Sequence, residues 1–98
     1  MNNYMIELAL PGSLTEEFIA LIPQQRAIVD KLMANGIVLS YSLAVDRSRL
    51  WIVITGSSEE EVLDHLYTLP LTKFMKVHIQ KLSFHNAGTF SLSNVSLN

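Results

Sequence analysis

Apolar and polar residues alternate in four segments of the chain, and this two-residue period predicts β-strands. The predicted strands cover residues 4–10, 37–45, 50–56 and 74–84. The second and third are joined by the short turn 46–49, so they are expected to form a hairpin. The third strand is apolar on both faces, since Trp51 and Val53 alternate with Ile52 and Ile54. Such a strand predicts a sheet that is covered on both sides.

The segment between the first two strands has apolar residues at helical spacing. Ser13 and Glu16 match a capping box, which predicts that the helix starts at "SLTE". Gly36 follows its last turn and can adopt the left-handed conformation that ends helices. Pro23 lies inside the segment, but the apolar stripe stays in phase across it. We therefore expect one bent helix rather than two short ones.

A second helix is predicted over residues 57–69. Ser57 or Ser58 can serve as its N-cap, and three glutamates follow in the first turn, where the helix dipole favours them. Its buried stripe is expected to consist of Val62, Leu63, Leu66 and Leu69. Pro70 ends the helix because proline lacks the backbone donor that a helix needs.

The element order β-α-β-β-α-β predicts an α+β fold of the ferredoxin-like class, with a four-stranded antiparallel sheet. Both helices are expected on one face, and the first and last strands side by side at or near the centre. The other face is bare in a monomer, so a second subunit is the simplest cover. We expect one domain over residues 1–86, followed by the tail 87–98. The tail alternates apolar residues with serines, which fits either disorder or a strand on a neighbouring subunit.

Composition narrows the classes of function. The chain has 98 residues, 49% of them hydrophobic, and a net charge of −2. No basic stripe is present to meet a phosphate backbone, so no nucleic-acid partner is expected. No apolar run is long enough for a membrane span, and the N-terminal residues do not resemble a signal peptide, so a cytoplasmic location is expected. Cysteine is absent, and no histidines have metal-ligand spacing. We expect no metal and no other cofactor.

One short motif resembles a known family. "LPL" at 69–71, "FM" at 74–75, an alternating strand and then His85 resemble the muconolactone isomerase family. The resemblance implies a dimeric α/β barrel, in which two sheets face each other and C-terminal tails can cross to neighbours. It also implies movement of a proton within a small unsaturated lactone, without a metal or an organic cofactor. Asp64 lies where members often carry an acidic residue.

The chain departs from the family pattern at the positions expected to carry acid–base chemistry. Members have an acidic and basic cluster in the middle of the first helix, where this chain has Gln24, Gln25 and Arg26. Only the basic residue remains, so Arg26 is a candidate for ligand binding. The arginine that members carry in the second strand is missing from "SYSLAV" at 40–45.

The candidate catalytic residues are Glu7, His78 and His85. Glu7 and His78 are predicted to project from the sheet face away from the helices, where a carboxylate and an imidazole could exchange a proton. The alternative is that they form an interface hydrogen bond or are simply solvated. His85 matches a position of the family and ends the last strand, where it could contact a ligand or a neighbour's tail.

Tyr41 and Trp51 are candidate ligand-binding residues, in a pocket under a helix or between subunits. Three functions stay open: a cofactor-independent isomerase, a binding module for a small apolar or aromatic-derived molecule, and a structural oligomer. A cavity that contains Glu7 or His78 would favour the isomerase. A cavity without ionisable groups would favour the binding module, and a filled interface would favour the structural oligomer.

Overall fold

The computed structural model describes residues 1–86 and 88 and has the predicted element order. The strands are β1 (Asn2–Ala9), β2 (Val38–Leu43), β3 (Arg49–Gly56) and β4 (Lys76–Lys81). The helices are α1 (Glu16–Ala34) and α2 (Glu59–Leu66), and a short 3-10 turn at Thr72–Phe74 precedes β4. The ferredoxin-like α+β fold is thereby confirmed. The predictions for the tail concern residues that, apart from Gly88, lie outside this described part.

The four strands form one antiparallel sheet in the order β2-β3-β1-β4. The prediction that β1 and β4 are adjacent is confirmed. The prediction that β4 lies at or near the centre is wrong, because β4 is an edge strand. The two β-α-β halves interleave: α1 carries the chain past β3 to β2, and α2 carries it past β1 to β4. This interleaving leaves β1 and β3 in the centre, so the residues of these two strands are the best buried.

The N-cap of α1 lies two residues later in the chain than the sequence pattern predicts. Thr15, not Ser13, is the N-cap, and its side-chain oxygen accepts a hydrogen bond from the Phe18 N–H at 3.2 Å. Thr15 satisfies one of the free donors at the helix start, so the predicted capping box is wrong. The helix continues through Pro23, which confirms one helix instead of two. It ends at Ala34 with Asn35 as its C-cap, and Gly36 follows with a φ of +74°, the predicted left-handed conformation.

Helix α2 is capped by Ser58, whose hydroxyl accepts from the Glu61 N–H at 3.1 Å. The Glu61 carboxylate in turn accepts from the Ser57 N–H at 2.6 Å and from the Ser57 hydroxyl. These bonds to Ser57 lower the pKa of the Glu61 carboxyl, because they stabilise its charged form. The predicted serine N-cap, followed by three glutamates in the first turn, is therefore confirmed.

The hydrophobic core lies between the sheet and the helices. Ile6, Ile52 and Ile54 on the central strands are 0% exposed, and so are Val62 and Leu66 of α2. The alternation in β1 directs Tyr4, Ile6 and Leu8 toward the helices and leaves Met5 and Glu7 half-buried on the opposite face. We call this opposite face the open face of the sheet. Neither helix of the described chain combines the length and hydropathy that crossing a bilayer requires.

Candidate functional site

A cavity of about 330 Å³ lies on the helix side of the sheet, at the end where β1 finishes and the β2–β3 hairpin turns. We call it the α1 cavity. Helix α1 forms one wall, the sheet the second, and the segment before β4 the third. Most of its walls are apolar, and the lining residues are Leu10, Leu14, Phe18, Ile22, Tyr41, Leu43, Arg47, Leu50, Leu71 and Met75. The volume lies at the lower end of the range for small-molecule sites, so a compact ligand fits it best.

Behind one wall of the α1 cavity, hydrogen bonds join the Leu71 N–H, the Gln25 side chain and the Tyr41 hydroxyl. The Gln25 side chain is 3% exposed and projects from α1 toward the sheet. Its Oε1 accepts from the Leu71 N–H at 3.1 Å, and its Nε2 donates to the Tyr41 hydroxyl oxygen at 3.1 Å. Gln25 therefore joins the helix, the edge strand β2 and the segment before β4. Tyr41, which also lines the cavity, is thereby held through its hydroxyl.

Arg47 is the charged residue among those that line the α1 cavity. It lies in the hairpin turn with a φ of +61°, a left-handed conformation that costs a non-glycine residue on the order of 1 kcal/mol. The turn is stabilised by the Asp46 carboxylate, which accepts from the Ser48 N–H at 2.9 Å and from the Ser48 hydroxyl at 2.6 Å. These bonds lower the pKa of the Asp46 carboxyl. The two ion pairs of the described residues do not include Arg47.

A row of mostly polar side chains crosses all four strands on the open face. The strand register places Ser42 opposite Trp51, Trp51 opposite Glu7, and Glu7 opposite His78. The Trp51 Nε1–H donates to Glu7 Oε1 at 3.1 Å, and Arg49 Nε lies 3.8 Å from Glu7 Oε2. The prediction that Glu7 and His78 project from the same face is confirmed by this register. The hydrogen-bond partner of Glu7 within the row is Trp51.

The predicted site residues are thus divided between the two faces of the sheet. Tyr41 lines the α1 cavity, whereas Glu7, His78 and Trp51 lie on the open face. Tyr41 thus lies at one of the two locations that the sequence left open, between sheet and helix, and its ligand-binding role stays a prediction. Because the sheet separates them from the α1 cavity, Glu7 and His78 reach an enclosed space only if a partner covers the open face. Their catalytic role stays a prediction.

His85 and Arg26 also lie apart from the α1 cavity. Strand β4 begins with Lys76 opposite Ala9, near the cavity, and ends with Lys81 opposite Tyr4. His85 is four residues farther on, at the other end of the sheet, and it is half-buried. Arg26 is exposed on α1 and does not line the cavity. A ligand role for either residue requires a second subunit or a different site, so both roles stay predictions.

Gln25 and Arg47 are the two site residues that the sequence reasoning missed. Gln25 lies seven residues after Phe18 and four before Val29, so it occupies the buried stripe of α1. A polar residue within an apolar stripe signals a buried hydrogen bond, and that signal was available. Arg47 could not be found in this way, because its place at the cavity depends on the conformation of the turn. Within the described residues, no group of three His, Asp or Glu side chains could hold a metal ion.

Comparison with known proteins agrees with the fold and the motif. Residues 4–87 match the muconolactone delta-isomerase family, which covers most of the chain. The chain belongs to this family. The resemblance first indicated by residues 69–71, 74–75 and His85 is thereby confirmed. No curated protein searched matches the chain.

Solved structures give the same result for the fold. A crystal structure of muconolactone isomerase has a TM-score of 0.70 and 18% identity, over 91% of this chain and 96% of that chain. At this identity the similarity shows the muconolactone delta-isomerase family fold and nothing finer. A putative antibiotic biosynthesis monooxygenase from Deinococcus radiodurans has a TM-score of 0.47 and 14% identity, over 93% of this chain and 99% of that chain. A similarity this weak carries no further conclusion.

Proposed function

We propose that the chain is a cofactor-independent isomerase that moves a proton within a small unsaturated lactone bound in the α1 cavity. The observation that carries the proposal is the composition of this cavity in a member of the muconolactone delta-isomerase family. Its walls are mostly apolar, and Tyr41 and Arg47 are the two lining residues with polar side chains. An apolar ring fits the walls, a carbonyl oxygen suits Tyr41, and a carboxylate suits Arg47.

The proposed reaction needs little covalent chemistry from the protein. A proton leaves one ring carbon, the double bond shifts, and a proton returns to another carbon. Negative charge collects on the lactone oxygen in between, so a hydrogen-bond donor placed at that oxygen lowers the barrier. The cavity lining includes no carboxylate and no imidazole. In this proposal the group that takes up the proton and returns it therefore lies outside the residues that line the cavity.

The α1 cavity contains neither Glu7 nor His78, and by the criterion stated from the sequence this favours a second candidate function, the binding module. A cavity with one hydrogen-bonding hydroxyl, one cation and no proton acceptor suits a module that binds a small apolar acid without changing it. This candidate makes the same prediction about ligand contacts as the isomerase. The two differ only in whether the bound molecule is converted.

The first test is turnover of muconolactone, an unsaturated lactone that carries a carboxylate. We expect the purified protein to catalyse the shift of the double bond, followed by proton NMR in deuterated water, with equal rates before and after chelation of metals. Binding of muconolactone without turnover would establish the binding module instead. A rate that falls on chelation and returns with added metal would contradict the proposal that no cofactor is needed.

A pair of arginine variants tests which cation binds the ligand. Arg47→Gln should lower kcat/KM for muconolactone, or its affinity if it is only bound, by about tenfold to a hundredfold, because a hydrogen bond to a charged group is lost. Arg26→Gln makes the same charge change at an exposed position of α1 and should change the value less than about twofold. The reverse result would remove the α1 cavity from the proposal and restore Arg26 as the ligand-binding residue.

The proposal also includes a partner, which is a second copy of this chain. The open face has an apolar centre that includes Met5, Trp51 and Val53, and polar residues such as Ser42 and His78 at its edges. An apolar centre with a polar rim is the usual anatomy of a protein interface. Two open faces packed together would give a dimeric α/β barrel and would enclose the row that contains Glu7 and His78.

A further inference from the structure

We propose that Gln25 fixes Tyr41 as a hydrogen-bond donor toward the α1 cavity, so that the ligand must present an acceptor oxygen there. The inference rests on the proposed function, because it names the chemical group that the same cavity selects. Tyr41 is the residue that contacts the ligand, and Gln25 is a positioning residue behind it. A carbonyl oxygen meets the requirement, and a hydrocarbon edge does not.

The backbone of Leu71 determines which end of the Gln25 amide points toward Tyr41. The Leu71 N–H is a donor and cannot accept, so the Gln25 atom 3.1 Å from it must be the oxygen. The NH₂ group therefore lies at the other end, 3.1 Å from the Tyr41 hydroxyl oxygen. An NH₂ group can only donate, so Tyr41 accepts this bond. This assignment follows from the chemistry of the three groups and does not depend on visible hydrogens.

Once Tyr41 accepts from Gln25, its own hydrogen must point elsewhere. The Gln25 NH₂ occupies one side of the hydroxyl oxygen, so the O–H turns to the other side. The hydrogen bonds of residues 1–86 and 88 include none that this hydroxyl donates. Tyr41 also lines the α1 cavity, so a ligand oxygen is the partner in reach. The arrangement presents a donor that is oriented before the ligand arrives.

Gln25→Glu reverses this polarity with almost no change of shape. A carboxylate at this position still accepts from the Leu71 N–H, so the backbone stays satisfied. It cannot donate to Tyr41, and the Tyr41 hydroxyl then donates to the carboxylate instead. The cavity loses its donor while its walls stay the same. Gln24→Glu adds the same charge at the neighbouring exposed position and is the matched control.

The probes are cyclopent-2-en-1-one and cyclopentene, which have the same ring and double bond and differ by the carbonyl group. Affinities are measured by NMR titration at about pH 9. This pH lies near the top of the range to which burial raises a carboxyl pKa, so the carboxyl introduced by Gln25→Glu is largely ionised. The carbonyl stretching frequency of the bound ketone is measured by infrared difference spectroscopy. Circular dichroism of each variant checks that the fold is kept.

We expect Gln25→Glu and Tyr41→Phe to weaken binding of the ketone about threefold to tenfold, the effect of one hydrogen bond. Binding of cyclopentene should change less than about twofold, because its contacts with the apolar walls remain. The carbonyl frequency of the bound ketone should rise in both variants, and Gln24→Glu should behave as wild type. A merely structural role of Gln25 would affect both probes equally.

Three results would overturn the inference: no saturable binding of the ketone to wild type, equal losses for both probes, or an unchanged carbonyl frequency in Gln25→Glu. Failure of the proposed function looks different. Dependence of ketone binding on Gln25, together with no turnover of muconolactone, would contradict the isomerase and leave the inference standing. Turnover that is unaffected by Gln25→Glu would contradict the inference alone.

Discussion

Trp51→Ala is expected to convert the proposed dimer into a monomer at micromolar concentration. Trp51 lies near the centre of the open face, and its Nε1–H donates to Glu7 at 3.1 Å. Loss of a central tryptophan typically costs an interface about 2 kcal/mol or more. The dissociation constant should therefore rise at least about 30-fold. Sedimentation velocity over a range of protein concentrations measures this change directly.

Tyr67→Ala is the matched control for the assembly test. Tyr67 is 60% exposed at the end of α2, on the helix side of the molecule, so its truncation should leave the sedimentation profile unchanged. His78→Ala removes a polar side chain of the same row as Trp51 and should weaken the dimer by a smaller factor. A wild-type protein that sediments as a monomer, or equal effects of Trp51→Ala and Tyr67→Ala, would contradict the assignment of the open face.

The element order could be predicted from sequence because each signal is local. The alternation in "YMIELAL" directs Ile6 and Leu8 to one side of β1 whatever else the chain does. Ser58 caps α2 because a hydroxyl at that position accepts a free backbone N–H within its own turn. The cap of α1 shows the limit of such reasoning. Two hydroxyl residues lay near the helix start, and only the path of the chain after β1 decides between Ser13 and Thr15.

The candidate site could be predicted only in part, because it depends on contacts between distant segments. Glu7 and His78 were placed correctly as neighbours, since the adjacency of β1 and β4 follows from the fold class. The α1 cavity requires three segments to leave a space between them, and no local pattern encodes that space. Glutamine cannot act as a base, so comparison with the family pattern gives Gln25 no role. Its function in the structure is to join Leu71 to Tyr41, across 46 and 16 residues of sequence.

Gln25→Leu should lower the free energy of unfolding by about 2 kcal/mol. The substitution places an apolar side chain in an apolar stripe, so hydrophobicity alone would predict a stabilised protein. The opposing effect is larger, because the buried Leu71 N–H loses its hydrogen-bond acceptor. For a chain of this length the loss corresponds to a midpoint lower by about 10 °C, measured by thermal unfolding.

Gln24→Leu makes the same exchange on the exposed side of α1 and should change stability by less than about 0.5 kcal/mol. Both variants are best compared at one protein concentration, because dimerisation stabilises the folded state by mass action. Gln25→Glu should fall between wild type and Gln25→Leu, since its carboxylate still accepts from Leu71 but bears the cost of burying a charge. Equal stabilities of Gln25→Leu and Gln24→Leu would mean that the amide bridge between α1, Tyr41 and Leu71 does not form. That result would also remove the physical basis for a donor oriented toward the α1 cavity.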